Sequence, residues 1–98
     1  MNRDAQPSTE TDQREIIITD TAKSKVYRLH SESQLVENIR NQPGAVYQKG
    51  DSDEYHLVKN GQVIVIVVEP EKYVVVTQMH NHPDYNNRDI YQEVRELP

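Results

Sequence analysis

There is no cysteine in these 98 residues. Disulfides, thiol nucleophiles and cysteine-ligated zinc or iron–sulfur sites are therefore excluded. An intracellular, cytoplasmic setting is expected, because small secreted domains usually depend on disulfide staples. Long apolar runs are missing as well. The longest, Val63–Val68, is far short of the ~20 residues a membrane helix needs. The opening MNRDAQPSTETDQRE has no apolar stretch, so neither a signal peptide nor a membrane partner is expected. Nor is there a basic excess: 11 Lys and Arg stand against 16 Asp and Glu, a net charge of −5.

That charge is unevenly spread. Residues 1–22 set Arg3 and Arg14 against Asp4, Glu10, Asp12, Glu15 and Asp20. Residues 83–98 set Arg88 and Arg95 against Asp84, Asp89, Glu93 and Glu96, while 23–82 balance. The acidity sits in the flanks. The neutral middle can bind RNA through a local patch, but no basic stripe marks one.

The length fits one domain. Residues 1–13, polar and without a large apolar side chain after Met1, read as a disordered tail, leaving 14–98 as a single α+β domain. Glu15–Thr19 is β-branched and reads as a short strand. TDTAKSKVYRL (19–29) fits a helix capped by Thr19 and Asp20, and fits a turn followed by a strand; the helix is preferred. Ser31-Glu32-Ser33-Gln34 has the capping-box pattern, in which serine and glutamine satisfy each other's free backbone N–H groups. Leu35, Val36 and Ile39 then share a face, and Asn41-Gln42-Pro43-Gly44 ends that helix.

Beyond Gly44 the period becomes that of strands: 45–49, 54–59, 62–69 and 73–80. Asn60-Gly61 is a strong hairpin signal, since a type I′ turn needs two residues at positive φ. Pro70-Glu71 marks the next turn. RDIYQEVREL, with Ile90, Val94 and Leu97 at helical spacing, is expected to add a short helix. The expected architecture is α+β, with one or two N-terminal helices packed on a four-stranded antiparallel β-meander.

Hairpin register assigns the faces. One presents Tyr55, Leu57, Ile64, Ile66, Val68, Tyr73, Val75, Thr77 and Met79, which makes it the expected core. The other presents His56, Val58, Val63, Val65, Val67, Val74, Val76, Gln78 and His80, with Tyr47 beside His56. So many valines are too apolar for open water. Either the C-terminal segment or a partner chain covers them.

His80-Asn81-His82 raises metal binding, but two imidazoles need a third ligand from His56, Asp84 or Asp89 to hold zinc. No metal and no cofactor is expected. Acid–base chemistry on RNA is the other reading, since an unperturbed imidazole titrates near pH ~6.5. His56, His80 and Tyr85 are the candidate catalytic groups, with Arg40, Lys49, Lys59 and Tyr47 to bind the RNA.

The strand at Ile16–Thr19, the helix ending at Asn41-Gln42-Pro43-Gly44, and YHLVKNGQVIVIVVEPEKYVVVTQMHNH together resemble RelE-like toxins and their colicin-D and barnase-like nuclease relatives. The resemblance spans about 16–91. It puts Tyr55 at the family's tyrosine, His80 or His82 at the end of the final strand, and Tyr85 or Tyr91 at the trailing tyrosine. His56 and Val63 or Val65 stand where the phosphate-binding arginines belong, so those arginines are missing here. What the resemblance implies is a metal-independent endoribonuclease of toxin or phage-defence type. The alternative is a non-enzymatic interaction module (homodimer, inhibitor or immunity-type protein) using Val63, Val65, Val74 and Val76 against a protein partner.

Overall fold

The computed structural model describes residues 14–25, 27, 29–80 and 83–98. The expected tail at 1–13, and Asn81-His82 of the histidine pair, lie outside them. Eight elements follow in chain order: β1 (Glu15–Ile18), α1 (Asp20–Lys23), α2 (Glu32–Asn41), β2 (Ala45–Lys49), β3 (Glu54–Lys59), β4 (Gln62–Glu69), β5 (Lys72–Met79) and β6 (Tyr91–Val94). The α+β class stands, but the sheet is mixed and six-stranded, in the order β1-β5-β4-β3-β2-β6. The expected meander is its centre. β1 adds to one side in parallel with β5, and β6 adds to the other side antiparallel to β2. No helix among the described residues is long and apolar enough to cross a membrane.

Local chemistry sets the helix ends. The Thr19 hydroxyl accepts from the Ala22 N–H and donates to the carbonyls of Val75 and Val76, so one residue caps α1 and ties it to the sheet. Of the helix expected at 19–29, Asp20–Lys23 forms one turn, and Val26 and Arg28 lie outside the described residues. α2 has its capping box in full: Gln34 N–H donates to Ser31 Oγ, and Ser31 N–H donates to Gln34 Oε1. It stops at Gln42, which takes a left-handed conformation at φ 47° before Pro43. Asn60 and Gly61 both have positive φ, 54° and 78°, as the hairpin requires.

The helices cover one face of the sheet. Ala22, Leu35 and Ile39 pack there against Val46, Tyr55, Leu57, Ile64, Ile66, Val68, Tyr73 and Val75. Each fully buried side chain of the size of Leu35 contributes about 1.5–3 kcal/mol. Leu97, with half-buried Ile16, Ile18 and Val94, completes this core.

A bulge changes the expected faces. Val68 pairs with Tyr73 across the two-residue turn as the register requires, but the pairing shifts between Val65 and Ile66, so Val65 meets Thr77 and Ile64 meets Gln78. One extra residue reverses the alternation beyond it. Met79 therefore turns to the outer face against Val63 and Val65, and Gln78 turns into the helix-side core. Gln78 is completely buried. Its Nε2 donates to the carbonyls of Ala22 (3.1 Å) and His30 (3.0 Å), and its Oε1 accepts from the His30 N–H at 2.8 Å. A buried amide is tolerated when its donors and acceptor are met. Here it staples both ends of the α1–α2 connection to the sheet.

The C-terminal helix is not formed. Tyr91–Val94 is a strand because the free edge of β2 offers ladder partners, and a two-residue alternation serves both faces. Tyr91 goes to the outer cluster and Val94 to the helix side. Ile90, which a helix would have set beside Val94 and Leu97, is exposed.

Candidate functional site on the outer face of the sheet

Alternate positions of a strand share a face, so Glu54 and His56 point outward together from β3. Tyr47 lies opposite His56 on β2. Asp84 and Asn87 then bend the chain after β5. The Asn86 N–H donates to Asp84 Oδ1, and the Asp89 N–H donates to Asn87 Oδ1. These turns bring Tyr85 back over the sheet, stacked on Tyr47 with ring centroids 4.3 Å apart and planes within 9°. Tyr85 and Tyr91 meet edge to face, and both lie against His56. The C-terminal segment thus covers the middle of the valine face, closing over Val63 and Val65.

His56 is 2% exposed, and both ring nitrogens are engaged. Nδ1 lies 2.7 Å from the Tyr85 hydroxyl, and Nε2 lies 2.8 Å from Glu54 Oε2. A carboxylate only accepts, so Nε2 carries the hydrogen toward Glu54. In the neutral ring Nδ1 then accepts from the Tyr85 O–H. Burial is the main cause that raises the Tyr85 phenol well above its ordinary value, with Tyr91, Tyr47 and Glu54 adding to it. The phenol therefore stays protonated and donating. The arrangement is a closed hydrogen-bonded chain, carboxylate to imidazole to phenol.

The remaining expected residues scatter. His80 stands exposed one position past β5, two strands across from His56 and three residues further along. From strand spacing and rise that is roughly 14 Å between Cα atoms. Lys49 is exposed and pairs in register with Tyr91, near the cluster. Arg40 is on α2, across the sheet, where its guanidinium donates to the Arg14 carbonyl at 3.3 Å. Lys59 lines a separate open groove of about 390 Å³ between α2 and the β3–β4 hairpin, with Gln34, Asn38, Asn41, Asn60 and Gln62. Val63 and Val65 are sealed, while Val74 and Val76 are half-buried.

Glu54 was legible in principle: Glu54-Tyr55-His56 sets two polar side chains on one strand face. A second feature emerges from register alone. Ile17 pairs with Val74, and Val74 with Val67, so a half-buried apolar row crosses β1, β5 and β4. These three belong to neither packed cluster. No family model, no curated protein and no solved structure matches this chain.

Proposed function

We propose that this chain is a non-enzymatic protein-interaction module that docks a partner on the open part of its outer sheet face. The row Ile17–Val74–Val67 carries the reading. It is apolar, it is aligned by the ladder itself, and the segment that seals the rest of that face stops short of it. An apolar row left open beside a sealed cluster is a surface on which a partner can bury apolar area. The state of His56 supports the same reading. An acid–base group must reach the proton it moves, and this imidazole faces Glu54 and Tyr85 from inside the protein.

The endoribonuclease alternative is tested alongside. Wild type and His56→Ala are incubated with mixed-sequence single-stranded RNA, and methyl NMR spectra are recorded with and without the RNA and over a concentration series. The expected result is no cleavage above the His56→Ala background, and no shift of the Ile17, Val67 and Val74 methyls when RNA is added. RNA cleavage that disappears in His56→Ala sinks the interaction reading.

A further inference from the structure

We infer that Tyr85 is a redox-active phenol, which gives one electron to a one-electron oxidant while its proton passes to His56. The sealed cluster is then an electron relay as well as a fastening. This activity belongs to the covered part of the outer face and is separate from docking on the open row.

A buried phenol loses an electron readily only if its proton leaves in the same step, because the charged radical that would otherwise remain has no water to stabilise it. Ionising first is no way round this: burial, chiefly, raises the Tyr85 phenol above its ordinary value, so it stays protonated. The acceptor is in place. A base takes a proton from a donor within about 2.6–3.2 Å, and His56 Nδ1 stands 2.7 Å from the Tyr85 hydroxyl. Behind the imidazole, Glu54 Oε2 lies 2.8 Å from Nε2, so the imidazolium that forms is met by a carboxylate. The Glu54 side chain is 32% exposed against 3% for His56, which gives that charge pair a route to solvent. A fastening alone needs only an acceptor, as at Tyr73, whose hydroxyl donates to the Pro98 carbonyl at 2.9 Å. A carbonyl cannot keep the proton; an imidazole can.

The neighbouring rings supply the path for the electron. Tyr47 stacks on Tyr85 with centroids 4.3 Å apart and planes within 9°, and it is half-buried, so it joins Tyr85 to the surface. Tyr91 packs edge to face at 4.8 Å and, with Val63 and Val65, keeps water from the oxidised ring. In the forward step the Tyr85 O–H bond breaks, an N–H bond forms at His56 Nδ1, and one electron leaves for the oxidant. The products are a neutral phenoxyl radical, an imidazolium paired with Glu54, and the oxidant reduced by one electron. A one-electron reductant such as ascorbate reverses the step: the electron returns to the ring and the proton to the phenol oxygen.

Hexachloroiridate(IV), an outer-sphere one-electron oxidant, is the probe. Its consumption by the full chain gives the rate, and freeze-quenched electron paramagnetic resonance identifies the radical. The expected result is a tyrosyl signal that Tyr85→Phe removes and that Tyr27→Phe, which deletes a phenol 94% exposed, leaves intact. His56→Gln keeps a hydrogen-bond acceptor but not a base. With native circular dichroism, it should consume the oxidant at least about tenfold more slowly, since a positioned base contributes roughly 10²–10⁴-fold. A tyrosyl signal that survives Tyr85→Phe, a signal that Tyr27→Phe removes, or equal rates in wild type and His56→Gln overturns the inference.

Discussion

His56 Nδ1 and the Tyr85 hydroxyl lie 2.7 Å apart across 29 residues of sequence. This bond fastens the segment after β5 to the middle of the sheet. Glu54 holds the imidazole from its other side, and Tyr47 supports the phenol ring from below. The contact closes over Val63 and Val65 and leaves the Ile17–Val74–Val67 row outside it.

Replacing the two partners of that bond is expected to have unequal effects. Tyr85→Phe keeps the stack on Tyr47 but leaves the buried Nδ1 of His56 without the phenol, a loss of about 1–3 kcal/mol. His56→Ala leaves a void and strips both the phenol and Glu54 of their partner, for a loss of about 2–4 kcal/mol. Denaturant unfolding of the two variants checks the order; a smaller loss for His56→Ala contradicts the latch.

Alkaline pH should weaken the fold through Tyr85. Its folded phenol value is raised, chiefly by burial, while the unfolded phenol ionises near pH ~10. Above that pH the unfolded chain binds fewer protons than the native one, so stability falls as pH rises. Below it, this contribution is fully present. Unfolding curves between pH 8 and about 11 should show a declining limb that Tyr85→Phe makes shallower. An identical limb in both proteins rules Tyr85 out as its source.

Gln78→Leu should be costly despite its apolar replacement. It orphans the His30 carbonyl and the His30 N–H and takes one donor from the Ala22 carbonyl, which keeps the Lys25 N–H, and an unsatisfied buried group costs about 1–3 kcal/mol. Hydrogen exchange at the His30 amide reads this locally. Accelerated exchange there, with β3 and β4 still protected, is the expected pattern; unchanged exchange at His30 contradicts the staple.

Gly44 admits no side chain. A Cβ there would overlap the Val58 carbonyl oxygen, which is backbone and cannot swing away. Gly44→Ala is expected to lose about 1–3 kcal/mol as an overpacked site. Gly50→Ala, with open space around it but φ at +57°, serves as the comparison and should lose about 1 kcal/mol. Gly44 does not have a positive φ, so a loss at Gly44→Ala no larger than that at Gly50→Ala would contradict the overlap with Val58.

Local signals carried much of this fold. The capping box at Ser31–Gln34, the Asn60-Gly61 turn and the valine alternation each rest on chemistry within a few residues, and each element stands where that chemistry puts it. What depends on long-range pairing was not legible. Nothing near Val76 announces the bulge that exchanges Gln78 and Met79 between faces. Ile90, Val94 and Leu97 have helical spacing, but the open edge of β2 outweighs it and makes a strand. In the candidate site, the sharing of a face by His56 and Tyr47 followed from register. The return of Tyr85 over them depended on the turns at Asp84 and Asn87, which set direction only once the sheet is in place.

The most direct test of the non-enzymatic reading is incubation of wild type and His56→Ala with mixed-sequence single-stranded RNA. His56 is buried between Glu54 and Tyr85, so the expected result is no cleavage by the wild type above the His56→Ala background. Cleavage that His56→Ala abolishes contradicts it.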